Sequence, residues 1–279
     1  MQRRKFLAQT GLAGLALGLT SFSTKGFLRP AESPFGIQLW TVKELMNKPK
    51  ETLTYLSSIG YKQIESCDLG KTIYWGMTPQ EFKSLMDNLG MKMVSAHCDV
   101  FKDLDKKAAD AASIGMDYLV CPYIGPRKTS KEFYEIAEKF NQIGEICAKH
   151  GLRFAYHNHD YSFIPVQDET PMDIFIKNTN PKFVDFELDI YWAVYAGVDP
   201  VAFVSKNQSR ITLSHIKDLW VHNGKKESCD LGKGTINYKK IIPELKTMGL
   251  KYTIVEQEAF SQNPIKEAVK IDAQYMMGV

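Results

Sequence analysis

Histidines and carboxylates recur in close pairs along this 279-residue chain: His157 and His159 in YHNHD, Glu187 and Asp189 in FELDIYW, His215 and Lys217 in SHIKD, and Glu256 and Glu258 in IVEQE. His97 in SAHCD, Glu65 in IESCD, and Gln38 with Trp40 in IQLWT join them. A spacing of two puts both members of a pair on one face wherever the segment is extended. If those faces turn toward one another, imidazoles and carboxylates from four successive segments converge. Left bare, such a group would lose several kcal/mol to desolvation and repulsion, and a divalent cation is the usual compensation. Mixed nitrogen and oxygen donors suit Mn²⁺, Zn²⁺, Co²⁺ or Mg²⁺ and do not choose among them.

A repeated device sets out the segments that carry these residues. Five times an amphipathic helix runs into Gly and an apolar or β-branched run starts at once: SSIGYKQIE, DNLGMKMVS, ASIGMDYLV, AKHGLRFAY and KTMGLKYTIV. Glycine is what a helix needs just past its end, where the backbone turns left-handed. Thr78-Pro79-Gln80-Glu81 offers a cap, a first-turn proline and a capping-box Glu, and Thr129 with Glu132 repeats the box. Strands are expected near 35–40, 62–67, 92–97, 117–122, 153–158, 184–189, 211–216 and 252–257. Eight strands alternating with helices demand parallel pairing, and eight units in this length fit a single-domain α/β fold, the closed (β/α)8 TIM barrel, spanning 35–279. In that architecture chemistry sits at the C-terminal strand ends, where the pairs fall. FGIQLWTV, the first strand, is not followed by a Gly-rich phosphate loop, so a dinucleotide-binding sheet lacks its usual mark.

ESCDLGK occurs twice, at 65–71 and 227–233. The first copy reads as the end of strand two and the second as part of a polar loop, HNGKKESCDLGKGTINY, beyond strand seven. An offset of five units is no symmetry of an eight-unit barrel, so the repeat reads as coincidence rather than duplication. The start of the chain, MQRRKFLAQTGLAGLALGLTSFS, sets Arg3, Arg4 and Lys5 before a short uncharged run. That pattern is expected to be an export signal of twin-arginine type over 1–23, followed by a linker at 24–34, with no stable membrane anchor. Loss of the signal would take three of the 35 basic residues and leave 32 against 32 acidic ones, a neutral chain that gives no footing to a nucleic-acid partner. Five cysteines without paired spacing indicate neither a zinc knuckle nor a full disulfide framework, and one or two bridges are left open. Self-association is left open as well.

YHNHDYSF, ELDIYWAVYAG, SHIKD with the later LGKGTINY, and IVEQE, in that order and at barrel spacing, make the chain from about Phe35 onward resemble the xylose-isomerase-like TIM barrel superfamily (the sugar phosphate isomerase/epimerase family), in particular its exported bacterial members. The resemblance implies one metal held from strands five to eight: Asp189, His215 and Glu256 match the family's positions, and His157 stands where Glu is common, with Asn158 or His159 as substitutes. It also implies a small carbohydrate substrate and a periplasmic or otherwise exported location. A metal on adjacent sugar oxygens acidifies the α-carbon proton, which a base removes to give an enediolate. Candidate bases are Glu256, Glu65 and His157, with Lys217 placed to neutralise an oxyanion or protonate a leaving group. Gln38, Trp40, His97, His159, Trp192 and Glu258 are candidates for substrate contact, and Tyr74, Trp75, Tyr161, Tyr191 and Trp220 are further candidates for stacking on a sugar ring.

Epimerases of the family use two like carboxylates, and a histidine usually stands where this chain has Trp192. These departures weaken the epimerase reading and suit a dehydratase of keto-inositols or a lyase acting on 3-keto-glycosides. An exported, non-catalytic carbohydrate-binding barrel is the alternative, and retention of Glu65, His97 and Lys217 speaks against it. A metal-dependent nuclease would need a basic surface that the neutral mature charge denies.

Overall fold

The computed structural model describes residues 34–70 and 72–279. The expected signal at 1–23, and all of the linker but residue 34, lie outside the described residues. Eight strands form a closed parallel barrel: β1 (Gly36–Gln38), β2 (Gln63–Cys67), β3 (Lys92–His97), β4 (Tyr118–Cys121), β5 (Arg153–His157), β6 (Val184–Asp189), β7 (Ile211–Ile216) and β10 (Tyr252–Val255), which pairs back to β1. Each falls inside the span expected for it. The first is shorter than expected, because the Gln38 side chain accepts from the Trp40 amide at 3.0 Å and turns the chain into a 3-10 segment over Leu39–Leu45. Trp40 therefore lies on a loop rather than at a strand end.

Around the sheet run α1 (Pro49–Ser58), α2 (Pro79–Asn88), α3 (Leu104–Ser113), α4 (Ser130–Lys149), α5 (Pro171–Asn178), α6 (Ile190–Tyr195), α7 (Pro200–Lys206), α8 (Tyr238–Thr247) and α9 (Ile265–Met276). Helix α4 shows the logic: Phe133, Ile136, Ala137, Phe140, Ile143, Gly144 and Cys147 recur at three- and four-residue steps and are buried against the sheet. The five helix-ending glycines all carry positive φ, from 62° at Gly90 to 116° at Gly60. Thr78 and Glu81 form the expected reciprocal cap, and Glu132 accepts from the Thr129 amide at 3.0 Å. Among the described residues no helix is long and apolar enough to cross a membrane.

Two register shifts shape the barrel interior. The β2–β3 ladder skips Val94, and the β6–β7 ladder skips Thr212. A skipped residue re-aims the side chains after it. Val94 and His97, three apart, can thus both face inward: Val94 packs with Tyr118, Val120, Ala155, Leu213 and Ile254 at the barrel's apolar floor, and His97 joins the polar layer above.

The polar loop expected beyond strand seven is instead an antiparallel hairpin, β8 (Asp218–His222) with β9 (Lys225–Cys229). Its turn is Asn223-Gly224, both at positive φ (49° and 75°), the backbone a tight two-residue hairpin turn needs. The two ESCDLGK copies accordingly sit in unlike settings. Glu65 to Cys67 end a barrel strand, and Glu227 to Cys229 end the hairpin. All five cysteines are buried and unbridged.

Candidate metal centre and active site

At the C-terminal end of the barrel the structure brings together His157, Asp189, His215 and Glu256. One donor atom from each lies within 4.8 Å of all the others. His157 Nδ1 meets the Pro122 carbonyl at 3.2 Å, which fixes the proton there and leaves Nε2 as a lone pair, 3.5 Å from Asp189 Oδ2. His215 Nε2 meets Glu65 Oε1 at 2.6 Å, so its Nδ1 turns to Glu256 Oε2 at 3.1 Å and Asp189 Oδ2 at 3.9 Å. His157 Nε2 and Asp189 Oδ2 are buried without a hydrogen bond. An unpartnered imidazole nitrogen facing a carboxylate oxygen whose charged neighbour is the Lys217 ammonium at 3.1 Å, with ring and carboxylate each oriented by a further partner, fits a divalent cation.

Asp189 is anchored on its other side: Oδ1 accepts from the Trp192 amide at 3.1 Å and caps α6. Asn158 grips the same residue through the backbone, with Oδ1 accepting from the Asp189 amide at 3.0 Å and Nδ2 donating to its carbonyl at 3.3 Å. Asn158 is therefore spent on positioning and is not a substitute ligand.

Lys217 has no exposed surface, and its Nζ stands 2.7 Å from Glu256 Oε2, 2.9 Å from Glu258 Oε1 and 3.1 Å from Asp189 Oδ2. Burial alone would push the ammonium down, but Asp189, Glu256 and Glu258 hold it well above its ordinary value. Burial likewise opposes the charge on Glu256, and Lys217 and His215 hold that carboxyl well below the usual range. Asp189, against the same cost, is held at about 2 by Lys217 and His157. The ammonium also lies 5.2 Å from the Tyr191 ring centre and 5.4 Å from that of Trp192. Trp192 thus offers an aromatic face to a buried cation.

Beneath the first group lies a second, of Glu65, His97, Glu187 and His215. His97 Nε2 is 2.7 Å from Glu187 and 3.2 Å from Glu65, and Gln38 Nε2 donates to Glu65 Oε1 at 2.8 Å. Burial, then the charge of Glu65, pushes the Glu187 carboxyl well above its ordinary value; Glu65 overcomes burial and is held at about 2 by His97 and His215. Two carboxyls side by side thus share the work, one protonated and one charged. Glu187, noted in the sequence but given no role there, is the partner of His97. Its signal was the two-residue spacing to Asp189.

The motif pair SHIKD and LGKGTINY also finds its reason. Asp218 Oδ1 accepts from the amides of Leu219 and Ile236, and Oδ2 from those of Gly232 and Gly234, all at 2.8 to 3.0 Å. Tyr238 Oη accepts from the Lys217 amide at 3.1 Å and donates to the Lys217 carbonyl at 2.7 Å. The later motif wraps the earlier one and clamps the peptide of Lys217.

Over the cluster opens a cleft of about 560 Å³ lined by His97, His157, His159, Trp192, Glu256 and Glu258, with Trp40 and Lys43 at one side and Asp68, Asp99 and Tyr123 at the other. The Lys43 ammonium sits 3.9 Å over the Trp40 ring. Burial and then the neighbouring His157 lower His159 to about 3, so its imidazole is neutral. One expected substrate contact, Gln38, and two expected catalytic residues, Glu65 and Lys217, lie below the cleft: all three are fully buried and hold other side chains. Of the stacking candidates, Trp40 and Trp192 reach the cleft. Trp75 donates to Ser66, Tyr161 pairs with Tyr156, Tyr191 backs Lys217, Trp220 stacks on His222 in the hairpin, and Tyr74 lines a separate hollow. Lys43, Asp68, Asp99 and Tyr123 were not legible as site residues, since they sit on loops without strand periodicity.

Comparison with known proteins gives the same frame. The inosose dehydratase of Lactiplantibacillus plantarum is 30% identical over 163 residues, 51% of this chain and 53% of the relative. That of Salmonella typhimurium is 29% identical over 167 residues, 52% and 54% respectively. The chain spans about half the length of the curated relatives it matches. A sugar phosphate isomerase/epimerase from Parabacteroides distasonis superposes with a TM-score of 0.76 at 26% identity, covering 90% of this chain and 96% of its own. An L-ribulose 3-epimerase, 14% identical with a TM-score of 0.66, shares the fold. The xylose isomerase-like TIM barrel family matches residues 53–277, from α1 through α9, and the chain belongs to that family.

Proposed function

We propose that the chain is a divalent-metal-dependent enzyme acting on a ring ketone of the sugar or polyol class, and that it eliminates an oxygen substituent β to the carbonyl rather than epimerising. The observation that carries this reading is the unlike character of the groups gathered where the cleft meets the cluster: the Glu256 carboxylate together with the imidazoles of His157 and His97. Two like carboxylates would suit proton exchange on both faces of one carbon. A carboxylate working with imidazoles suits abstraction of a proton by one group and protonation of a departing oxygen by another. The inosose dehydratases among the relatives support the same class of reaction.

His157, Asp189, His215 and Glu256 would hold the cation, which, when bound, polarises the carbonyl and acidifies the adjacent C–H. Glu256, held ionised beside Lys217, takes the α proton. The C–H electrons form the new double bond as the C–O bond breaks. His97, which touches both the cleft and Glu187, gives the departing oxygen its proton. Lys217 acts from below, fixing Glu256 and Glu258, and Trp40 and Trp192 supply flat walls to a ring.

The test is turnover of a keto-inositol and of 3-keto-glycosides by protein loaded in turn with Mn²⁺, Co²⁺, Zn²⁺ and Mg²⁺. Elimination product that disappears on chelation and returns with metal is expected. Binding without turnover under every metal would favour a carbohydrate-binding barrel instead.

We also propose export to the periplasm through residues 1–23, motivated by the basic start and uncharged run. Intact Met1 on protein isolated from its native host would contradict it.

A further inference from the structure

Tyr123, on the loop between β4 and α4, stands between two hollows. On one side is the cleft above the carboxylate and imidazole cluster; on the other is a pocket of about 300 Å³ lined by Phe101, Ile124, Arg127, Ile136 and Lys139. The tyrosine ring is held edge-on by His159 and Tyr161, with centres 5.1 and 5.6 Å away. Gly125 supplies the φ of 75° that turns the chain between Tyr123 and Arg127, whose ring and guanidinium lie in ordinary contact distance over it.

The two hollows differ in charge. Asp68, Asp99, Glu256 and Glu258 line the first, where Lys43 is the one ammonium among the described lining residues and Lys217 pairs with the two glutamates from below. The outer pocket holds two cations and no carboxylate, and among the described residues neither Arg127 nor Lys139 has an ion-pair partner. Its remaining walls are apolar, and Phe101 and Tyr123 there are 54% and 56% exposed. The inner cleft alone, at about 560 Å³, already has the size of sites that enclose drug-sized ligands rather than a single small ring.

We propose that the outer pocket is a second binding site for the same substrate, taking an apolar, ring-sized substituent that carries an anionic group, of the carboxyaryl class, joined to the sugar through oxygen. Phe101, Ile124 and Ile136 cover the ring, Arg127 and Lys139 pair with the acid, and Tyr123 flanks the linkage. The proposal rests on the proposed sugar chemistry only for the sugar end.

Isothermal titration of the metal-loaded full chain with methyl, phenyl and 4-carboxyphenyl β-D-glucopyranoside tests it. The carboxyphenyl compound should bind about fivefold tighter than the phenyl one, the scale of two partly exposed ion pairs, and the phenyl tighter than the methyl. Arg127→Gln with Lys139→Gln should erase the carboxylate gain and leave methyl glucoside unchanged. Equal binding of all three, a carboxylate gain that survives the double variant, or no binding of any would overturn the proposal. Binding of the carboxyphenyl compound that the double variant abolishes, with methyl glucoside unbound, would uphold this pocket and count against the sugar reading. Failure of keto-sugars to react while the gain persists would count against the proposed reaction alone.

Discussion

Lys217 is the residue on which the charge balance of the site turns. It is itself fully buried and touches Asp189 and Glu256, both buried, and Glu258, which reaches solvent. Removing one member of a buried ion group typically costs roughly 3–5 kcal/mol, because the remaining charges are stranded. Lys217→Met should therefore melt earlier, and chelation should lower its melting temperature further than it lowers that of the parent, since a bound cation then carries the compensation of Asp189 and Glu256 that the ammonium shared. An equal effect of chelator on both proteins would speak against a cation at these residues. Glu256→Gln should keep part of the metal and lose turnover, because an amide coordinates weakly and takes no proton; retained turnover would remove Glu256 as the base. Two-residue spacing at strand ends made the convergence of the paired residues legible, and the family resemblance singled out His157, Asp189, His215 and Glu256 among them. That Gln38, Glu65 and Asn158 serve other side chains was not legible, because it depends on which strands lie side by side.

At the scale of elements, the strands and helix stops followed from glycines, capping boxes and apolar runs, all local signals. The β8–β9 hairpin did not. Its residues are mostly polar and show no apolar alternation, so only Asn223-Gly224 announced it. Its anchoring is a set of backbone amides turned onto Asp218, a device with almost no sequence period. Gly234→Ala would thrust a methyl into Asp218 Oδ1 and the Leu219 carbonyl and should destabilise by about 1–3 kcal/mol in denaturant titration. Tyr238→Phe strips the partner from both polar groups of the Lys217 peptide, a loss on the order of 1–3 kcal/mol for buried groups. If the clamp positions Lys217, kcat should fall with KM nearly unchanged. A stability loss with kcat intact would leave Tyr238 a structural residue only.

On the scale of the whole molecule, the hairpin and the last helix meet at a buried acid. Asp272 accepts from the Leu231 amide at 2.7 Å, its other oxygen has no partner, and burial, then Asp230 and Asp218, push its carboxyl well above the ordinary 3.8. A raised folded value means the folded state holds the proton more tightly than the unfolded chain, so stability contributed here is present at low pH and is lost as pH rises from 3.8 toward the folded value. Asp272→Asn should accordingly stabilise near pH 8 and give no gain near pH 3, read from melting curves at both. A gain of equal size at both would mean that the fold does not raise the acid above its unfolded value. The barrel as a whole gathers its reactive groups at one end, and the central claim is that they remove a proton from carbon and release an oxygen. The most direct measurement is the fate of deuterium placed on the α-carbon of a keto-inositol or 3-keto-glycoside. The account predicts loss of the label to solvent in step with elimination, and none after chelation; a product that retains the label through complete turnover would contradict it and point to hydride transfer.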